Sequence, residues 1–280
     1  MSTETITQAL PTHCAALGLT LVVRAATDQE LPPIPEHAWR AAELMERPTR
    51  VAVQPQAQGR HRLALGRFGD FAVDLVTNTV DVYRLPDAGI AIAEVLEGPV
   101  LLHALATRGI HALHASAFQL PDGRVYAFTA ESGTGKSSLA ARARRHGWIR
   151  VADDLLALTL DHGRIVALPG LHQPKLTAVE QPGALLPERL ALAGLFRLRR
   201  TVGSAHRQAL GANAACTLLL WATVATRVYT PASLAAHLGF AARFAEAVRD
   251  GKLDVATLDL PDRQEDIAGA LDEVLMLLHG

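Results

Sequence analysis

The 280-residue sequence is poor in the residues that mark several large classes of protein. Its only cysteines, Cys14 and Cys216, are far apart and lack metal-ligand company, so neither a disulfide framework nor a zinc site is predicted. The formal net charge is −1, which excludes a global attraction to nucleic acid or to an anionic membrane. We therefore expect two reduced thiols and no nucleic-acid partner.

The sequence also has no long apolar run. The longest, residues 214–226 (AACTLLLWATVAT), is too short to span a bilayer and predicts a buried helix. Residues 1–20 carry acidic and polar side chains where a signal peptide needs a basic end and an apolar segment. We expect a cytoplasmic protein without a membrane partner, whose 49% of hydrophobic residues supports a sizeable core.

Two regions of different texture follow one another along the chain. Residues 1–95 contain short alternating runs separated by turn residues, which predict strands and hairpins, with one short helix predicted at 35–47 (PEHAWRAAELMER). Residues 91–109 have apolar side chains at helical spacing and end on a glycine. We therefore assign residues 1–95 to a small strand-rich region, a candidate for peptide-substrate binding, and residues 96–280 to a second domain.

The second domain mixes strands and helices, which predicts an α/β fold of mixed type. Residues 110–120 and 124–130 flank a PDG turn and predict adjacent strands. A helix is predicted from Lys136 to about His146, followed by a strand at 148–160 (WIRVADDLLALTL). The last third is rich in Ala and Leu and is predicted to be mostly helical, except at 226–231 (TRVYTP).

The stretch AESGTGKS at residues 130–137 is nearly a complete phosphate-loop motif. Small residues let backbone N–H groups turn onto phosphate oxygens, the lysine reaches the β- and γ-phosphates, and Ser137 is placed to ligate Mg²⁺. Ala130 stands where the motif has its first glycine, and an ordinary glycine-rich turn is the alternative. The predicted nucleotide-binding residues are Ser132, Gly133, Thr134, Gly135, Lys136, Ser137 and Ser138.

Two adjacent carboxylates, Asp153 and Asp154, follow the loop at the predicted strand 148–160. A strand-end carboxylate that faces a phosphate loop is expected to hold Mg²⁺ or to orient the nucleophile. Two successive side chains point to opposite faces of a strand, so both can turn toward the phosphate only where the strand ends. The alternative is that one of them is a turn or helix-capping residue.

Residues 132–154 (SGTGKSSLAARARRHGWIRVADD) resemble the kinase domain of the HPr kinase/phosphorylase family. The resemblance extends upstream to LHASAF, where His114 takes the family's histidine position and His111 is the nearby alternative. It implies a phosphoenolpyruvate-carboxykinase-like topology, Asp153 as base toward a serine hydroxyl, Asp154 assisting Mg²⁺ and His114 beside the transferring phosphate. The roles of the two aspartates can be exchanged.

The sequence departs from that family in two places. Ser138 stands where these enzymes usually carry glutamate, and their later Glu-Arg-Gly signature is replaced by ALPGLHQPKL at residues 167–176. Phosphorolysis is therefore not expected. The chain looks more like the smaller kinases of ribosomal-peptide clusters, some of which phosphorylate the C-terminal serine of a lasso-peptide precursor. Lys175 is a candidate substrate or phosphate contact, and Arg227 a candidate for offsetting phosphoryl charge.

The sequence thus predicts an ATP- and Mg²⁺-dependent serine kinase. Its partner would be a peptide or small protein with an acceptor serine, and the sequence allows a homo-oligomer. The alternatives are a nucleotide-binding regulatory protein without turnover and an HPr-like carrier-protein kinase. The basic clusters at residues 142–146 and 197–200 are not interleaved with aromatic residues, so they give little support to nucleic-acid binding.

Overall fold

The computed structural model describes residues 22–25, 31–131, 133–171, 173, 186–224, 228–262 and 267–279. The chain divides into two compact units. The first comprises Met1–Ile110 and Val224–His237, and the second comprises His111–Thr223 and Leu238–Gly280. The first unit thus extends beyond residue 95, where the sequence predicts the domain boundary, and includes a second segment of the chain.

The first unit contains a six-stranded sheet in the order β1-β6-β5-β4-β3-β2. Strands β2 to β6 pair antiparallel with their neighbours in sequence, and β1 lies parallel to β6. This sheet confirms the predicted strand-rich character of the N-terminal region. The strands are β1 (Val22–Ala25), β2 (Arg40–Leu44), β3 (Arg47–Pro55), β4 (Arg60–Ala64), β5 (Asp70–Asp74) and β6 (Thr79–Arg84).

The helix predicted at residues 35–47 is wrong. Only a 3₁₀ turn forms at Glu36–Ala38, and the chain then enters the hairpin of β2 and β3. The two turn residues, Met45 and Glu46, have φ values of 52° and 59°. Two successive positive φ angles are typical of the two-residue turn that matches the twist of paired strands. Strand pairing therefore overrides the helix propensity of this Ala-, Glu- and Leu-rich stretch.

The predicted helical segment before the second unit is present but interrupted. It consists of α1 (Ile92–Val95), a π-helical turn at Leu96–Val100 and α2 (Leu101–Ala106). The interruption coincides with Gly98 and Pro99, since Gly98 has a non-helical ψ of −108°. The segment ends near Gly109, whose φ of 71° suits a glycine after a helix.

The second unit is built on a nine-stranded mixed sheet. Seven strands follow the order β10-β8-β9-β13-β12-β11-β7, while β15 lies parallel to β13 and pairs with β14. The strands are β7 (His111–His114), β8 (Ser116–Gln119), β9 (Val125–Thr129), β10 (Ile149–Ala152), β11 (Leu155–Asp161), β12 (Arg164–Leu168), β13 (Leu190–Thr201), β14 (His206–Ala209) and β15 (Asp254–Pro261).

Strands β13, β14 and β15 correct the prediction that only residues 226–231 interrupt the helices of the last third. The 12-residue β13 was not predicted, because its composition is rich in Ala and Leu. Buried and more exposed residues nevertheless alternate along much of its length. It lies beside β9 in parallel, which explains its apolar character, because a strand covered on both faces needs few polar residues.

Helices cover both faces of this sheet. Alternate residues of β9 belong to two separate cores, since Val125 and Ala127 pack with α4 while Tyr126 and Phe128 pack with α3 and α6. The helices are α3 (Lys136–Arg145), α4 (Ala212–Ala222), α5 (Pro231–Arg249), which contributes to both units, and α6 (Ile267–His279).

The mixed α/β class is therefore confirmed, and the phosphoenolpyruvate-carboxykinase-like topology stays a prediction. The buried helix predicted from residues 214–226 corresponds to α4. Among the described residues, no helix combines the length and the apolar character needed to cross a membrane.

Candidate functional site

The phosphate-loop motif lies between β9 and α3, in the strand-loop-helix context that its chemistry requires. All five residues of β9 are buried, so the strand anchors the start of the loop in the core. Gly133 and Gly135 have φ values of 78° and 124°, which residues with a Cβ rarely adopt. The N–H of Thr134 donates to the Glu131 carbonyl at 3.3 Å and closes a turn within the loop.

The loop lysine contacts the predicted site histidine. The ammonium of Lys136 donates to the Ala130 carbonyl at 3.1 Å and lies 2.5 Å from Nε2 of His114. Because an ammonium group has no acceptor, Nε2 must accept, and the proton of a neutral ring is then on Nδ1. That Nδ1 faces Oδ1 of Asp154 at 3.7 Å.

Strand register brings these three side chains together from distant parts of the sequence. His114 ends β7 and pairs with Leu155 at the start of β11, which places Asp154 next to the histidine. The N–H of Ala115 donates to the Asp154 carbonyl at 3.1 Å. Thr129, at the end of β9, donates a hydrogen bond from its hydroxyl to the His114 carbonyl at 2.8 Å. This bond connects the end of β7 to β9, the strand that precedes the loop.

The two aspartates occupy a break between β10 and β11. Their side chains are 19% and 18% exposed, and they have different neighbours. The Asp153 carboxylate lies 3.8 Å from Nε of Arg150, whereas Asp154 faces His114. The strand end that allows both carboxylates to turn the same way is therefore present.

A buried glutamine, Gln173, holds this break in shape. Its side-chain oxygen accepts the N–H groups of three successive residues, at 3.1 Å from Asp153, 2.9 Å from Asp154 and 3.1 Å from Leu155. Its amide nitrogen donates to the carbonyls of Leu155 and Leu171 at 2.9 and 3.0 Å. Only 1% of the residue is exposed.

Sequence reasoning missed Gln173, and no local signal identifies it. It lies in the ALPGLHQPKL stretch, where the sequence indicates only Lys175 as a candidate substrate or phosphate contact. A glutamine between an irregular loop and a proline has the composition of an exposed linker. Its role depends on the long-range approach of this stretch to the strand break, which the sequence pattern does not encode.

Two arginines of β13 lie at the two ends of the phosphate loop. Arg197 pairs with Thr129 in the register of β13 and β9, and its guanidinium is 3.3 Å from a carboxylate oxygen of Glu131. At the other end, a Cβ added to Gly135 would lie 3.3 Å from Nη2 of Arg200. The sequence alone indicates only a basic cluster here, because the parallel pairing of β13 with β9 is a tertiary feature.

The other predicted residues are placed as follows. Ser138 is exposed on the first turn of α3. His111 is 2% exposed and stacks on Phe240 at a centroid distance of 4.2 Å, away from the lysine that His114 contacts. Four predictions lie outside the described residues or side chains: Ser132, the Ser137 side chain, Lys175 and Arg227.

No group of three or more His, Cys, Asp or Glu side chains that could hold a metal occurs within the described ranges. This does not conflict with a nucleotide-bound Mg²⁺, which keeps several waters and takes one or two carboxylates besides phosphate oxygens. Asp154 offers such a carboxylate beside the loop lysine and its histidine. The donor set therefore fits magnesium brought in with a nucleotide.

A cavity of about 650 Å³ in the second unit lies away from these residues. It is bordered by Asp122, Gly123 and Arg124, which precede β9, whereas the phosphate loop follows the other end of that strand. The chemically distinctive side chains are at the loop, so we place the candidate site there rather than at the cavity.

Comparisons with known proteins show a distant likeness to solved structures. No protein-family model matches the chain, and no curated protein matches it. A solved structure of the HPr(Ser) kinase/phosphatase from Coxiella burnetii is similar over 60% of this chain and 99% of that chain, at 10% identity and a TM-score of 0.31. A likeness at this level does not establish a shared fold, so the function depends on the residues of the chain itself.

Proposed function

We propose that the protein is an ATP-dependent kinase that transfers the γ-phosphoryl group of ATP to a serine hydroxyl. The observation that carries this proposal is the contact of Lys136 with His114 and of His114 with Asp154, at 2.5 and 3.7 Å. These residues come from the loop, from β7 and from the break before β11. A glycine-rich turn with a chance lysine would not account for such a convergence.

Nucleotide binding would use the loop backbone and its lysine. The positive-φ glycines let successive N–H groups face one point, and α3 places its positive end beneath that point. Lys136 would reach the β- and γ-phosphates once its ammonium turns from the Ala130 carbonyl. Ser137 and Asp154 would hold Mg²⁺, which neutralises developing phosphate charge when bound.

In the proposed reaction, the acceptor oxygen forms a bond to the γ-phosphorus while the bond to the β-phosphate bridging oxygen breaks. The leaving group is ADP, and the charge on its terminal oxygens is offset by Lys136. The serine proton is transferred to a carboxylate, which we assign to Asp153 at the strand break. His114, between the lysine and Asp154, orients both charged groups.

The acceptor would be a serine of a peptide or small protein, near the C-terminus of a lasso-type precursor. Support comes from the resemblance of residues 132–154 to the serine kinases and from the partial exposure of the site, since 38% of the His114 side chain is exposed. A flexible tail needs only a groove for an in-line approach, although it loses conformational freedom on binding.

Mass spectrometry of acceptors incubated with enzyme, Mg²⁺ and ATP tests this proposal. Short peptides ending in serine should gain the mass of one phosphate, and replacing the terminal serine by alanine should abolish the gain. Lys136→Met should remove the activity, whereas Lys252→Met should retain it, because Lys252 is 72% exposed and pairs with Asp250. Phosphate on an internal serine of a folded carrier protein would instead favour the HPr-like alternative.

If the wild-type protein binds ATP tightly but phosphorylates neither peptides nor carrier proteins, the kinase proposal fails. The regulatory nucleotide-binding function would then take its place. If Lys136→Met binds ATP as tightly as the wild type, the loop itself is misassigned.

A further inference from the structure

We infer that Arg200 is a second cation for the polyphosphate of the nucleotide, acting beside Lys136 at the phosphate loop. This inference rests on the proposed nucleotide site and adds to it a residue from a strand that carries no part of the motif. The ligand class is a nucleoside polyphosphate, recognised through its phosphate oxygens rather than through its base.

The position of Arg200 follows from the path of β13. This strand runs parallel to β9, and its last residues extend beyond the strand end where the loop begins. The guanidinium of Arg200 there lies against Gly135, since a Cβ on that glycine would be 3.3 Å from Nη2. Gly135 directly precedes Lys136 and the first turn of α3. Any anion cradled by these N–H groups would be within a few ångströms of the guanidinium.

The charges around β13 distinguish Arg200 from its neighbours. Arg197 is paired with Glu131 at 3.3 Å, and Arg199 is paired with Asp259 at 2.9 Å. In the part of the chain that the structure describes, Arg200 donates a hydrogen bond from Nη1 to the Pro261 carbonyl at 3.1 Å, and no carboxylate pairs with it. Nη2, which faces Gly135, is thus the nitrogen left for a ligand.

Electrostatics then points to an anion at this place. The guanidinium of Arg200 lies beside Gly135, which directly precedes Lys136 and the positive end of α3, and an anion held at this place would offset these positive charges. A phosphate chain carries several negative charges and accepts hydrogen bonds from a guanidinium in two directions. The hydrogen bond to the Pro261 carbonyl would hold the Arg200 side chain in position before the ligand binds.

Calorimetric titration with Mg²⁺–ATP tests the inference on the full chain. Arg200→Gln keeps a polar N–H group on a shorter side chain and removes the charge, so its dissociation constant should rise about 10- to 100-fold, the range for a lost charge-assisted hydrogen bond. The affinity should also depend less steeply on salt than in the wild type. Arg200→Lys should restore part of the affinity, because it returns the charge without the planar fork.

Arg199→Ala is the matched control, because it removes the adjacent arginine, which is paired with Asp259 and is not at Gly135. It should bind ATP as the wild type does. Should Arg200→Gln fail to fold, as judged by its melting transition, Arg200→Met serves as the second uncharged variant in the same titration.

The outcomes separate this inference from the proposed function. If Lys136→Met loses affinity while Arg200→Gln or Arg200→Met binds like the wild type, Arg200 is only structural and the inference is overturned. If the wild type itself does not bind Mg²⁺–ATP, both the inference and the proposed nucleotide site are wrong. Equal losses in the Arg199 and Arg200 variants would indicate a general charge effect and also overturn it.

Discussion

Each unit contains a histidine with a neighbour at both ring nitrogens, but the two surroundings are opposite in character. In the first unit, His103 is fully buried between the Val228 carbonyl, 3.3 Å from Nδ1, and His61, whose Nδ1 is 2.8 Å from Nε2. In the second unit, His114 is partly exposed between a lysine and an aspartate. The first arrangement suits packing, and the second suits chemistry.

The difference shows what decides the role of a histidine. Burial, together with the nearby His61 and against the opposing effect of the Val228 carbonyl, lowers the pKa of His103 to about 4. A ring held neutral in this way satisfies two hydrogen bonds and changes little near neutral pH. His114 lies between charges of opposite sign, and those charges are what phosphoryl transfer needs.

The largest effect should come from removing the carboxylate that faces the site histidine. Asp154→Asn should lower phosphotransfer by about 100-fold or more, the scale for a positioned acid–base or metal-binding group. Its melting temperature should stay within a few degrees of the wild type, because the backbone contacts of this residue remain. Steady-state kinetics and calorimetry measure the two quantities.

Asp153→Asn sharpens the same prediction. It should also lose about 100-fold, since this residue is the proposed base. Full activity in both variants would contradict a catalytic pair, whereas loss in one alone would assign the chemistry to that residue.

The contribution of the buried His103 should appear in the pH dependence of stability rather than in activity. Because the folded-state pKa of His103 lies below the ordinary value of 6.5, the unfolded chain takes up its proton first as the pH falls. The free energy of unfolding should therefore drop between pH 6.5 and about 4, by at most about 3 kcal/mol from this group.

Denaturant unfolding across this pH range, in the wild type and in His103→Asn, isolates the contribution. The variant should lose stability at neutral pH and should show a shallower decline in acid. An identical slope in the two proteins would mean that His103 does not titrate as its burial requires.

The glutamine at the strand break links stability with activity. Gln173→Met leaves three backbone N–H groups without their acceptor and should cost at least about 2 kcal/mol of unfolding free energy, since one buried unsatisfied donor alone costs about 1–3 kcal/mol. The turnover rate should fall with it while the Michaelis constant for ATP changes little, because the loop is untouched. Gln208→Met, at an exposed position of β14, is the control.

The smallest expected effect comes from substitutions of the two histidines of β7. His114→Gln keeps an acceptor for Lys136 and should lower the turnover rate by about tenfold, as suits a group that orients charges. His111→Gln should instead lower the melting temperature and leave activity intact, because His111 packs on Phe240. The reverse pattern would exchange the roles of the two residues.

Much of the local structure could be predicted because its signals are local. The glycine-rich loop, the helix after it and the strands β8 and β9 on either side of the PDG turn are encoded by glycine positions and apolar periodicity, although the strand predicted at residues 110–120 is divided into β7 and β8. The hairpin of β2 and β3 was not predicted, since its residues favour a helix and only their pairing as strands overrides that preference. The strand β13 was missed for a related reason, because its composition does not separate a buried strand from a helix.

The sequence by itself therefore determined which groups are available for chemistry: a lysine after a glycine-rich loop, a histidine upstream of that loop and two adjacent aspartates. Only the tertiary structure decided which of them meet. Register between β7 and β11 sets Asp154 beside His114, Gln173 holds the strand break, and β13 brings Arg200 to Gly135. These contacts join residues far apart in the chain, and their geometry depends on how the strands pair, which no short stretch of sequence specifies.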